Sequence, residues 1–144
     1  MIKLITLLRP FARYLLIAWA ITIIVVSSTP NIPMLKIHRA KGDIRLDYLI
    51  HFLEYGALTV LSFITFAGEE FRMSFGKALK ITAILCLFAI LDEYHQKLIP
   101  GRSFNYMDIL SNLTGIIAWA VFCIVLFRMI RISHLHKIQT DAQD

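Results

Sequence analysis

Apolar residues fall in four long runs separated by short polar stretches. The first is residues 11–29, FARYLLIAWAITIIVVSST. The second is 47–67, DYLIHFLEYGALTVLSFITFA. The third is 76–96, GKALKITAILCLFAILDEYHQ, with a short apolar heart and a polar last turn. The fourth is 107–128, MDILSNLTGIIAWAVFCIVLFR. A hydrocarbon core of about 30 Å takes roughly 20 helical residues, with about 17 to 25 tolerated. The pattern therefore predicts an all-α integral membrane protein, a four-helix transmembrane bundle running up-down-up-down. Arg13 sits near the start of the first span, where it can snorkel to the interface. Lys3, Arg9 and Arg13 before an apolar run would also suit a cleaved signal peptide. Ser27-Ser28-Thr29 is a poor small-residue cleavage site and three more spans follow, so the segment reads as a retained span.

Composition agrees. The chain has 144 residues, 58% hydrophobic and 17% charged, against about 25% charged for a soluble domain. Its mean hydropathy is +0.67. Cys86 and Cys123 lie inside apolar runs and read as packing groups, with neither a disulfide framework nor a metal site. The net charge of +5 does not point to nucleic acid, because the basic residues sit at segment edges, where they would flank a membrane. With both termini in the cytoplasm, Lys3, Arg9, Arg13, Arg72, Lys77, Lys80, Arg128, Arg131 and Lys137 face inward, nine in all. Lys36, Arg39, Lys41, Arg45, Lys97 and Arg102, six in all, face outward. The excess predicts cytoplasmic termini. The chain then divides into a cytoplasmic N-terminus (1–10), a transmembrane domain (11–128) and a polar, frayed cytoplasmic tail (129–144). Loop 30–46 and turn 97–106 face outward, and loop 68–75 (GEEFRMSF) faces the cytoplasm. No CxxC, HExxH, GxSxG or P-loop pattern occurs.

Polar residues gather at the span junctions. Residues three or four apart share a helix face. Asp47, His51, Glu54 and Tyr55 line one stripe of the second span, and Asp92, His95 and Gln96 one stripe of the third. Asp108, Asn112 and Gly115 line the fourth. In an up-down-up-down bundle the three stripes meet near one membrane face, the outer one by the charge count. Intramembrane ionisable residues are costly and usually face a bundle interior or a wet cavity. The set, with Glu93 and Arg102, holds carboxylates, imidazoles, amides and a guanidinium. It can carry acid–base chemistry, hold a divalent cation through carboxylates, or clamp an anion through Arg102.

Each residue also has a plainer reading. Asp108 suits a helix N-cap or a first-turn acid. Asn112 and Gln96 suit interhelical hydrogen bonds, and Gly115 a close-packing point. Pro100-Gly101 suits a turn and Arg102 an interface anchor. His38, His134 and His136 read as solvated, and Trp19 and Trp119 as packing. Glu54, two turns into an apolar span, is the hardest to account for structurally.

These residues resemble the VanZ-like family of small bacterial membrane proteins, whose namesake is an accessory glycopeptide-resistance protein associated with teicoplanin. The resemblance rests on Ser27, Ser28 and Pro30, then Asp47, His51, Phe52 and Tyr55. A long motif follows: Asp92, Glu93, Gln96, Pro100, Gly101, Arg102, Asp108, Asn112 and Gly115, with His95 at an open position. It spans about residues 15 to 125. The family often has Lys after the first Asp, where this chain has Tyr48. The resemblance implies a four-span protein of the bacterial cell membrane and marks the polar constellation as its functional site.

Three functions compete. In the first, the site acts on a phospholipid or lipid-linked cell-wall intermediate. Arg102 holds an anionic group, Glu93 or Asp92 serves as base or metal ligand, His51 or His95 shuttles protons, and Asp47, Asp108 and Asn112 position them. In the second, the site binds a lipid head group or lipoglycopeptide, or docks a partner, without catalysis. In the third, Asp–Arg and Asp–His pairs merely lock the bundle. The sequence leaves any metal and the oligomeric state open.

Overall fold

In a computed structural model the chain is described over residues 2–31, 36–37, 44–68 and 71–141. It forms four helices: α1 (Ile2–Ser27), α2 (Asp47–Phe66), α3 (Phe75–Gln96) and α4 (Tyr106–Asp141). Between α1 and α2, β1 (Lys36–Ile37) and β2 (Ile44–Arg45) form a two-residue antiparallel ladder that hydrophobic periodicity does not foretell. The rest of the expected 30–46 loop, His38 included, lies mostly outside the described residues, as do Glu69 and Glu70.

Among the described residues, three helices are long and apolar enough to cross a membrane: Arg9–Ser27, Asp47–Phe66 and Tyr106–His134. At about 1.5 Å per residue, the first two measure about 28 and 30 Å. α3 falls short on composition. Lys77 and Lys80 occupy its first turns, and only the 11 residues 81–91 separate them from Asp92 and Glu93. Two boundaries differ from the pattern-based expectation. α1 begins at Ile2 and carries Pro10 internally, and prolines are tolerated in membrane helices because neighbouring groups re-satisfy the freed backbone. α4 continues to Asp141 where a frayed tail was expected. Residues 129–141 contain neither Gly nor Pro, so nothing in them stops the helix.

α2 is the central element, packing most extensively on α4 and then α1. Its buried positions Tyr55, Gly56, Leu58, Thr59, Ser62 and Phe63 follow the three-and-four spacing of one helix face. Two glycines let α2 and α4 approach. The Trp119 ring lies where a side chain on Gly56 would stand, and the Phe52 carbonyl lies where one on Gly115 would stand. Gly115 is thus the close-packing point the sequence suggested. Large apolar side chains remain exposed on all four helices, among them Ile17, Ile21, Leu53, Ile84, Leu87, Leu91, Val121 and Val125. A lipid solvent accounts for such surfaces; contiguous apolar patches of this kind are rare on soluble monomers.

Candidate functional site

The C-terminal ends of α1 and α3 and the N-terminal ends of α2 and α4 meet at one end of the bundle, and the polar residues collect there. α3 delivers two adjacent carboxylates on its inward face. Asp92 is 8% exposed and Glu93 fully buried. Ser27 Oγ donates to Asp92 Oδ1 at 2.6 Å, and Tyr55 OH donates to Asp92 Oδ2 at 3.0 Å. One carboxylate thereby joins α1, α2 and α3. Glu93 Oε2 accepts from Gln96 Nε2 at 3.1 Å, and Oε1 accepts from the Asn105 backbone N–H at 3.0 Å, joining α3 to the start of α4. Neither carboxylate has a cationic partner among the described residues.

The start of α4 is built around Asn105. Its Oδ1 accepts from Met107 N at 3.0 Å, and its Nδ2 donates to Asp108 Oδ1 at 3.0 Å. Asn105 is therefore the N-cap, and Asp108 is the first-turn acid of its two expected alternatives. Asp108 Oδ2 lies 3.8 Å from His51 Nε2, in ion-pair range across the α2–α4 contact. His51 Nδ1 is buried and unpartnered among the described residues. So are both amide atoms of the fully buried Asn112, one turn below Asp108.

Arg102 bonds the backbone at the end of α1. Its Nε donates to the Thr29 carbonyl at 3.1 Å and its Nη2 to the Val26 carbonyl at 2.6 Å. These carbonyls lie at and just past the C-terminal end of α1, where a basic side chain is well placed, and the Val26 carbonyl also accepts from Thr29 N at 3.1 Å. Gly101 turns the chain into this position with φ +77°, and the side-chain oxygen of Asn31 occupies the space a Cβ would need. The Pro100-Gly101 turn is thus specified at Gly101, where the left-handed backbone favours glycine.

Of the sequence candidates, Asp92, Glu93, Gln96, Asp108, His51 and Asn112 come together in the bundle interior. Asp47 is half-buried in the first turn of α2, one turn before His51. His95 is half-buried, and its side chain makes no hydrogen bond with a described residue. Glu54 is half-buried, and its backbone carbonyl accepts the Trp19 indole N–H at 2.9 Å, so Trp19 does more than pack. Two expectations need correction. Gln96 bonds within its own helix, because i to i+3 spacing brings it over Glu93, rather than across to another. Asn112 makes no interhelical bond among the described residues. Asn105 and the carboxylate-binding role of Ser27 escaped the sequence reading. An Asn three residues before Asp108 at a helix start was the available signal for the first; only the fold brings Ser27 to Asp92. Among the described residues, no group of three or more His, Cys, Asp or Glu side chains converges as a metal-binding set.

Neither the curated proteins nor the solved structures compared contain a match to this chain. The sequence profile of VanZ/LLP1 matches residues 8–128, a stretch that reaches all four helices and holds every residue of the polar cluster, and the chain is therefore a membrane protein of the VanZ/LLP1 family.

Proposed function

We propose that the chain is a multi-pass protein of the bacterial cytoplasmic membrane, with both termini inside and the polar end outward, that receives a lipid or lipid-linked cell-wall head group there and performs acid–base chemistry on it. α3 is then the fourth span: Asp92 and Glu93 face the bundle, while Ile84, Leu87 and Leu91 face lipid. The observation that carries the proposal is the pair of adjacent, buried carboxylates, neither of which makes an ion pair with a described residue. A lock of ion pairs would set charge against charge, since leaving a buried charge uncompensated is strongly destabilising. Here hydroxyls, an amide and a backbone N–H surround the carboxylates instead. Ionisable groups kept at such cost within a membrane are most often functional.

In this reading Glu93 exchanges the proton, with its oxygens oriented by Gln96 and Asn105. His51 relays it: one ring nitrogen faces Asp108 and the other is unpartnered, the arrangement of a base held by an orienting carboxylate. Asp92 ties α1, α2 and α3 together beside Glu93, and Arg102 holds the end of α1. The unpartnered amide of Asn112 favours a second reading, a non-catalytic site that binds a head group or lipoglycopeptide.

The test compares membrane lipids and lipid-linked cell-wall intermediates in cells lacking the protein, cells with it restored, and cells with Glu93→Gln at equal expression. One lipid species accumulating in both the null and the Glu93→Gln cells is the expected result. Unchanged lipids in all three would reject chemistry. Binding would then be the surviving reading, with Glu93→Gln partly tolerated and changes of shape felt strongly at Arg102 or at Phe104, whose ring packs against Tyr94 and Tyr106 beside the polar end.

A further inference from the structure

The opposite end of the bundle has its own architecture. The segment leading into α3 folds against α4 to leave a groove of about 420 Å³. Its apolar part is lined by Phe71, Ile124 and Phe127, and its polar part by Arg72, Arg128 and Arg131. Phe71 is buried with φ +57°, an uncommon backbone for a bulky residue, held in place on both sides. Its ring packs on Phe127 with centroids 5.2 Å apart, and the Arg9 guanidinium lies 5.8 Å from its centroid. Arg9 Nη2 also donates to the carbonyls of Ala67 and Gly68, both at 2.8 Å, fixing the end of α2 beside the groove. Arg128 and Arg131 are exposed, and neither makes a hydrogen bond or ion pair with a described residue.

We infer that this groove binds one anionic phospholipid, with its acyl chain against Ile124 and Phe127 and its phosphate between Arg128 and Arg131. The argument is one of depth and polarity. Ile124, Phe127, Arg128 and Arg131 share one face of α4 by their three-and-four spacing. Along that face the lining changes from apolar to cationic over about two turns, the same gradient a phospholipid shows from acyl chain to phosphate. The 20 residues from Asp108 to Arg128 correspond to a rise of about 30 Å, the thickness of a hydrocarbon core. The arginines therefore stand at the membrane boundary opposite the polar end, the depth at which lipid phosphates lie. Lys and Arg asymmetry assigns this end to the cytoplasm, whose leaflet is the anionic one. The site is separate from the carboxylate cluster and does not depend on what that cluster does.

Native mass spectrometry of the full-length, delipidated chain tests this with phosphatidylglycerol and phosphatidylcholine of equal acyl chains. One phosphatidylglycerol should be retained in preference to phosphatidylcholine. The R128Q/R131Q pair should weaken its retention roughly thirty-fold, at about fivefold per arginine. The R128K/R131K pair, which keeps the charge, should retain most of the preference and shows that folding is not what the glutamines disturb. Equal retention of both lipids, or unchanged retention in R128Q/R131Q, would overturn the inference. So would competition by inorganic phosphate at concentrations matching the lipid, which would make this a free-phosphate site.

Discussion

Glu93 is where structure and chemistry can be separated by experiment. Its carboxylate accepts two hydrogen bonds in a fully buried position, from Gln96 Nε2 and Asn105 N. Glu93→Leu introduces an apolar side chain of roughly similar bulk and removes both acceptors. A buried donor left unsatisfied costs about 1 to 3 kcal/mol, so two such donors cost about 2 to 6 kcal/mol. Removing the buried charge itself offsets part of this. Glu93→Gln preserves volume and keeps one oxygen for the Asn105 N–H. Its new NH2 group faces Gln96, whose amide can turn to present oxygen instead of nitrogen. The net loss should be about 1 kcal/mol or less.

Thermal unfolding in detergent with a fluorogenic maleimide reads this directly, because Cys123 is buried and labels only when the bundle opens; Cys86, half-buried, sets the baseline. The expected order of stability is parent, then Glu93→Gln close behind, then Glu93→Leu well below. Coincident unfolding of Gln and Leu variants would refute the hydrogen-bond assignment, as would a Leu variant as stable as the parent. A stable Glu93→Gln protein is also what makes its lipid phenotype interpretable as chemistry.

Two further perturbations address the helix junctions. Tyr55→Phe and Ser27→Ala each remove one donor from Asp92 and should each cost about 1.5 to 3 kcal/mol in the same assay. Because both bond one carboxylate, the double variant should depart from additivity by about 0.5 kcal/mol or more, and strict additivity would mean that Asp92 does not join them. Gly115→Ala drives a methyl group toward the Phe52 carbonyl, which as backbone cannot rotate aside, and should cost about 1 to 3 kcal/mol. Gly76→Ala, which meets nothing within 4 Å, should be neutral or mildly stabilising; equal effects at the two glycines would disprove close α2–α4 packing at Gly115.

The helices and the gathering of polar stripes were legible because both follow from periodicity. Span length fixes the first, and i to i+4 spacing on antiparallel helices fixes the second. What could not be read was the partner of each polar atom, and Arg102 shows why. Sequence assigns a guanidinium near three carboxylates the role of their counter-ion or of an anion clamp. Yet Arg102 reaches the Val26 and Thr29 carbonyls, at and just past the end of α1, across the turn set by Gly101. Competition between backbone carbonyls and carboxylates for one guanidinium depends on tertiary distances, which no local pattern encodes. The consequence runs on into function. With Arg102 bonded at the end of α1, the carboxylates of α3 make no ion pair with a described residue and are held by Ser27, Tyr55, Gln96 and Asn105. Neutral donors fix a carboxylate's position without cancelling its charge. A cluster held in that way stays able to take up a proton or meet an incoming cationic or hydrogen-bonding head group, whereas an arginine-paired cluster would already have been neutralised by its own protein.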